Sequence, residues 1–228
     1  MKNELQKRIV TSIFLISLIS LCLYLGGLAI VFALLIVSYI AFDEFMGLLA
    51  RIYKDNFLRN CLIFYYFFFI FWICSWTLAI NNVYHFIFVL SICIFSDVGG
   101  YIVGKIIKGP KLTKISPNKT ISGSIGSILF SFIPLVILNY FLPDIFLLSK
   151  TNLLFCIEIT IVCQLGDLFI SFFKRKSKVK DTGKILPGHG GLLDRIDGII
   201  FALPYASFKL LGLELFNPFL VIISYLTR

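Results

Sequence analysis

Ile9–Ala41 reads IVTSIFLISLISLCLYLGGLAIVFALLIVSYIA and holds no charged side chain. A membrane-spanning helix needs about 20 apolar residues, so this stretch is too long for one span. Gly26-Gly27 interrupts it, and paired glycines mark a turn. Two spans joined by a tight turn are therefore expected, with Met1–Arg8 as a basic leader into a first span that is retained rather than cleaved.

The rest of the chain follows the same solvent logic. Hydrophobic residues make up 59% of the 228 and charged residues 14%, where a soluble domain carries about 25% charged. The 25 phenylalanines exceed what one soluble core of this length would bury, whereas lipid accepts them. Apolar runs predict a third span at Cys61–Ile80 and a fourth from Val83 to about Val103. A fifth follows at Ile121–Phe141 and a sixth at Leu153–Phe173. Ile196–Tyr225 is apolar but broken by Pro204, Gly212, Glu214 and Pro218, so it reads as two short spans or as one span plus a surface helix. The expected architecture is an all-α polytopic bundle of about eight spans, with seven to nine allowed. It forms one membrane unit over 1–228, with N-terminal spans in 1–90, a chemical half in 91–200 and C-terminal spans in 201–228.

Charge is concentrated. The net charge is +9, and 12 of the 21 basic residues lie in Lys105–Lys119 and Lys174–Arg195. Short basic loops between spans mark the cytoplasmic face and attract anionic headgroups and nucleotide phosphates; nothing points to nucleic acid. An eight-span count places both loops on the side of the basic N-terminus. The six cysteines all sit in apolar runs without C-x-x-C spacing, which fits packing residues.

A carboxylate inside a bilayer costs about 2.5–3.5 kcal/mol on insertion scales, so Asp97 and Asp167 ask for a function. On an ideal helix Asp167, Ser171 and Lys174 share a face, giving a column of carboxylate, hydroxyl and ammonium. In the second basic loop, Gly188, Gly190 and Gly191 allow close backbone approach to a ligand. Lys174, Arg175, Lys180 and Arg195 offer cations to a polyphosphate. Asp194 and Asp197 lie three apart at the start of the next helix, so both can reach one hard cation. His189 either contacts phosphate or fixes the loop. This set suits a Mg²⁺-nucleotide site. An ion-coupled transporter is the competing reading of the intramembrane acids, but it leaves the glycine-rich basic loop unexplained and no repeat is visible.

Ser171–Asp197 carries S-x-x-K-R-x-x-x-x-K-D-x-G-x-x-x-P-G-H-G-G-x-x-D-R-x-D, which resembles the signature of the phosphatidate cytidylyltransferases, or CDP-diglyceride synthetases. Ser96-Asp97-Val98-Gly99-Gly100-Tyr101 resembles the family's D-x-x-A/G-Y element. Lys111-Leu112 followed by Ser116-Pro117-Asn118-Lys119-Thr120 resembles its K-L and S-P-K-K-T elements, with Asn118 at a common lysine position and Ser122 at a usually acidic one. The resemblance covers about residues 95–200 and implies transfer of CMP from CTP to phosphatidic acid in the cell inner membrane, with the site facing the cytoplasm. It implies catalytic roles for Lys174, Arg175, Lys180, Asp181, His189 and Arg195. Asp97, Tyr101, Ser116, Lys119, Thr120, Ser171, Gly188, Gly190 and Gly191 would bind substrate. Asp167, Asp194 and Asp197 would hold Mg²⁺, with a second cation and a homodimer left open. A related enzyme using another lipid phosphate or an isoprenoid lipid, and a lipid-binding scaffold, are the alternatives.

Overall fold

Gly26 adopts φ +90° and ends the first helix, α1 (Lys2–Leu25), before α2 (Gly27–Ile52) begins, so the break falls at the paired glycines. The fold is seen in a computed structural model that describes residues 2–52, 65, 68, 69, 71–73, 75, 83–113, 115–188 and 190–211. Among the described residues five further helices are bounded: α3 (Val83–Ile107), α4 (Ile121–Phe141), α5 (Lys150–Lys176), the single turn α6 (Leu193–Ile196) and α7 (Ile199–Leu211). The expected third span, everything beyond residue 211 and His189 lie outside the described residues, apart from isolated positions between 65 and 75. Among the described residues, α2, α3, α4 and α5 are long and apolar enough to cross a membrane, and α7 is a shorter apolar helix.

Surface and core are arranged for lipid. On α2, Leu28, Phe32, Ile36 and Tyr39 are 56–77% exposed, at spacings that line one helical face. The opposite face buries Ile30, Ser38, Ala41, Phe45 and Leu48. Such long apolar side chains turned outward fit a hydrocarbon solvent and would be costly in water.

Three helix ends of α3 and α5 run further than the apolar runs suggested. α5 begins earlier because Ser149 caps it, its hydroxyl accepting from the Asn152 amide at 3.2 Å. It continues through Lys174, Arg175 and Lys176, cations favoured at a helix C-terminus. α3 likewise continues to Ile107 and stops at Lys108 (φ 57°) and Gly109 (φ 117°), the left-handed ending typical of helices.

α3 and α4 make the most extensive pairing, because small residues let their backbones meet. A Cβ at Gly99 would lie 2.5 Å from Phe130 and 2.6 Å from the Gly126 carbonyl, and one at Gly123 would lie 2.8 Å from the Gly100 carbonyl. A second close approach joins α5 to the elbow before α7. A Cβ at Gly166 would lie 2.8 Å from the Asp197 carbonyl, and one at Gly198 would collide with Cys163 Sγ. These contacts bring Asp97 of α3, Asp167 of α5 and Asp197 of the elbow together.

Candidate active site

A cavity of about 350 Å³ opens between α3, α4 and α5, lined by Asp97, Tyr101, Ser116, Lys119, Thr120, Asp167 and neighbouring small residues. The loop between α3 and α4 forms one wall. It is shaped by a short antiparallel bridge between Lys111 and Thr120, in which Leu112 N donates to Lys119 O at 2.8 Å and Ile121 N to Pro110 O at 3.0 Å. Thr120 caps α4, its hydroxyl accepting from Gly123 N at 3.1 Å. With its own amide donating to Ser116 O at 3.1 Å and its carbonyl accepting from Leu112 N, Lys119 is held in place, and its ammonium pairs with Asp167 Oδ2.

Asp167 sits nine residues before the end of α5, about 14 Å along the axis at 1.5 Å per residue. The expected column exists in part. Ser171 donates to Asp167 Oδ1 at 3.2 Å, but Lys174 turns away and pairs with Asp194 Oδ1 at 2.8 Å. The cation that answers Asp167 is Lys119, from a loop that helix periodicity could not bring near. The Asp197 carboxyl lies close to that of Asp167, and Asp97 is within electrostatic reach of both. Two carboxyl groups so close repel unless a proton or a cation lies between them.

Asp194 keeps different company. Besides Lys174, it accepts from Thr182 N at 2.8 Å, Thr182 Oγ1 at 3.1 Å and Gly191 N at 3.1 Å. Burial alone would raise this carboxyl, but the Lys174 ammonium and the two amides outweigh it and hold the group below its ordinary value. Asp194 and Asp197 are thus three apart as expected, yet one faces the loop and the other faces Asp167.

The loop from 177 to 192 folds around its glycines. Leu186 and Gly190 exchange backbone hydrogen bonds of 2.9 and 3.1 Å, and Gly188 (φ 76°) and Gly190 (φ 88°) take the left-handed backbone between them. Gly191 serves by lacking a side chain, since a Cβ there would collide with Thr182 Oγ1 and Glu44 Oε2. The amides of 190–193 already donate to Leu186 O, Asp194 and Glu44. Arg175, Lys180, Asp181 and Arg195 are exposed around this loop, with Asp181 against Gly190.

Sequence reasoning missed Glu44. It lies on α2, 6% exposed, and its carboxylate accepts from Thr182 Oγ1 at 2.8 Å, Leu192 N at 3.0 Å and Leu193 N at 2.9 Å. An acidic residue one position before Phe45, on the buried stripe of an otherwise apolar helix, was the available signal.

Among the described residues no three His, Cys, Asp or Glu side chains form a ready metal cage. Mg²⁺ does not require one, because it is usually held by one or two carboxylates together with waters and substrate phosphates. The Asp167–Asp197 pair, with Asp97 beside it, fits that donor set.

Residues 53–211 match the model of the cytidylyltransferase family. The chain is 41% identical over 132 residues to a phosphatidate cytidylyltransferase of Staphylococcus haemolyticus, covering 58% of this chain and 50% of that protein. It is 43% identical over 139 residues to one of Rickettsia bellii, covering 57% of this chain and 58% of that protein. The chain thus spans about half the length of the curated relatives it matches.

Proposed function

Since this chain belongs to the cytidylyltransferase family, we propose that it transfers CMP from CTP to phosphatidic acid, releasing pyrophosphate and leaving CDP-diacylglycerol in the membrane. The observation that carries this reading is the pairing of Lys119 with Asp167 on the wall of a cavity between membrane-length helices, with Asp197 close to Asp167. The relatives' own designation as phosphatidate cytidylyltransferases supports the choice of substrates.

Phosphatidate cannot leave the bilayer cheaply and CTP cannot enter it, so the reaction needs a site reachable from both. The cavity lies between the membrane-length helices α3, α4 and α5, and the exposed Arg175, Lys180 and Arg195 offer charge to a triphosphate. The phosphatidate oxygen attacks the α-phosphorus, the bond to the β-phosphate breaks, and pyrophosphate departs. The nucleophile is already an anion, so no general base is required; positioning and neutralisation of charge are. Lys119 orients the lipid phosphate from the cavity wall, and Ser171 fixes the Asp167 carboxylate. Asp167 and Asp197 would hold Mg²⁺, which when bound supplies Lewis-acid stabilisation of the phosphates.

The site faces the cytoplasm in this reading, with both basic loops on that side. Purified protein should release pyrophosphate from CTP only when ester-linked phosphatidate is supplied. Equal release with an isoprenoid phosphate would move the substrate to another lipid class, and release with no lipid would overturn the reading. Lys180 should be labelled by a membrane-impermeant amine reagent only after cells are permeabilised; labelling of intact cells would invert the topology.

A further inference from the structure

We infer that Glu44 is a positioning residue for the reaction: from α2, outside the matched family region of 53–211, it sets the placement of the loop and elbow that carry the chemistry. The inference rests on the reaction proposed above for its kinetic arm and on geometry alone for its structural arm.

α6 needs such help. It is one turn long, its N-cap residue is Leu192, and no side chain of its own caps it. A helix start leaves amides without partners, and the Glu44 carboxylate takes those of Leu192 and Leu193, one on each oxygen. It acts as a cap borrowed from another helix, with the negative charge that a helix N-terminus favours. Its third bond, from the Thr182 hydroxyl, ties in the start of the glycine-rich segment. Thr182 also contacts Asp194, so a single residue links the two carboxylates that hold the loop. The closeness is built into the sequence at Gly183 and Gly191, where a Cβ would collide with the Glu44 carboxylate.

A second helix makes the same connection independently. Thr11 of α1 is buried and donates to the Pro187 carbonyl at 3.0 Å, at the tip of the loop. Four residues beyond Leu193 of the borrowed cap stands Asp197, whose distance from Asp167 depends on where α6 begins. The first two helices are therefore a frame for the loop, and Glu44 is its main contact.

Glu44→Gln tests this. An amide offers one acceptor and turns an NH₂ toward a backbone N–H, so one of the Leu192 and Leu193 amides loses its partner. Hydrogen exchange in detergent is expected to accelerate about tenfold or more at 182 and 191–193, with α3 and α4 unchanged. KM for CTP is expected to rise about fivefold or more while KM for phosphatidate stays within about twofold, and kcat/KM for CTP to fall about 10- to 100-fold. A variant merely less well folded would lose apparent kcat and keep both KM values. Thr182→Val, which deletes only the hydroxyl, is expected to move exchange at 191–193 and KM for CTP in the same direction by a smaller factor, and decides the matter if Glu44→Gln does not accumulate. Unchanged exchange at 191–193, or an unchanged KM for CTP in an active variant, overturns the inference. Absence of turnover in the wild type would instead strike the proposed reaction and leave the exchange result to judge Glu44.

Discussion

Glu44 and Asp194 face amides, a hydroxyl and an ammonium, whereas Asp167 and Asp197 face each other with Lys119 at one edge. The first two carboxylates are satisfied by the protein itself. The second two have donors as well, Lys119 and the Ser171 hydroxyl on Asp167 and the Gly198 amide on Asp197, but they also have each other's like charge for company, an arrangement that a bound cation and phosphates would relieve. A carboxylate's partners thus separate the acids that build the loop from those proposed to serve the substrates, although all four lie in one continuous region.

The largest effect is expected where that contrast is sharpest. Asp167→Asn and Asp197→Asn should each lower turnover by about 100-fold or more while the exchange pattern of the loop at 182–193 stays as in the wild type. Near-normal pyrophosphate release by either variant would erase the distinction between the two sets. Asp194→Asn should act first on stability, costing on the order of 2 kcal/mol as Lys174 loses its partner, read from unfolding in detergent. Adding Lys174→Met should restore stability without restoring turnover; recovery of both would make the pair purely structural.

The pH dependence follows from the depressed Asp194 carboxyl. In the unfolded chain this group titrates near its ordinary value of about 4, and in the folded protein it titrates lower. The stability it contributes is therefore fully present above the ordinary range and is lost as pH falls through the depressed value. Asp194→Asn should remove that part of the acid sensitivity, and an unchanged acid profile would contradict the assignment. The smallest effects concern packing alone. Gly99→Ala, meeting Phe130 and the Gly126 carbonyl, should cost about 1–3 kcal/mol by overpacking, whereas Gly47→Ala, with open space around it, should change stability by less than about 0.5 kcal/mol.

Much of this was legible in the sequence, for reasons that can be named. The break at Gly26, the bounds of α4 and the inward placement of Asp167 follow from run length, paired glycines and the cost of charge in lipid. The Ser171–Asp167 contact follows from helical spacing. The same logic could not find Lys119 as the partner of Asp167 or Thr182 as that of Asp194, because those pairs join a helix to a loop. Glu44 escaped for a related reason: in a helix apolar on both faces the buried stripe has little contrast, so an acid at the end of the run passes for its boundary. Gly191 was legible as a required glycine, but the reason for it, a carboxylate 147 positions earlier in the chain, was not.

One measurement bears most directly on the whole account: the fate of the α-phosphorus of CTP. With CTP labelled at that atom and phosphatidate in detergent, the label should pass into a lipid-extractable product in step with pyrophosphate release, and should fail to do so with Asp197→Asn. Label that stays in water-soluble nucleotide in the wild type, or reaches lipid equally well in that variant, would contradict it.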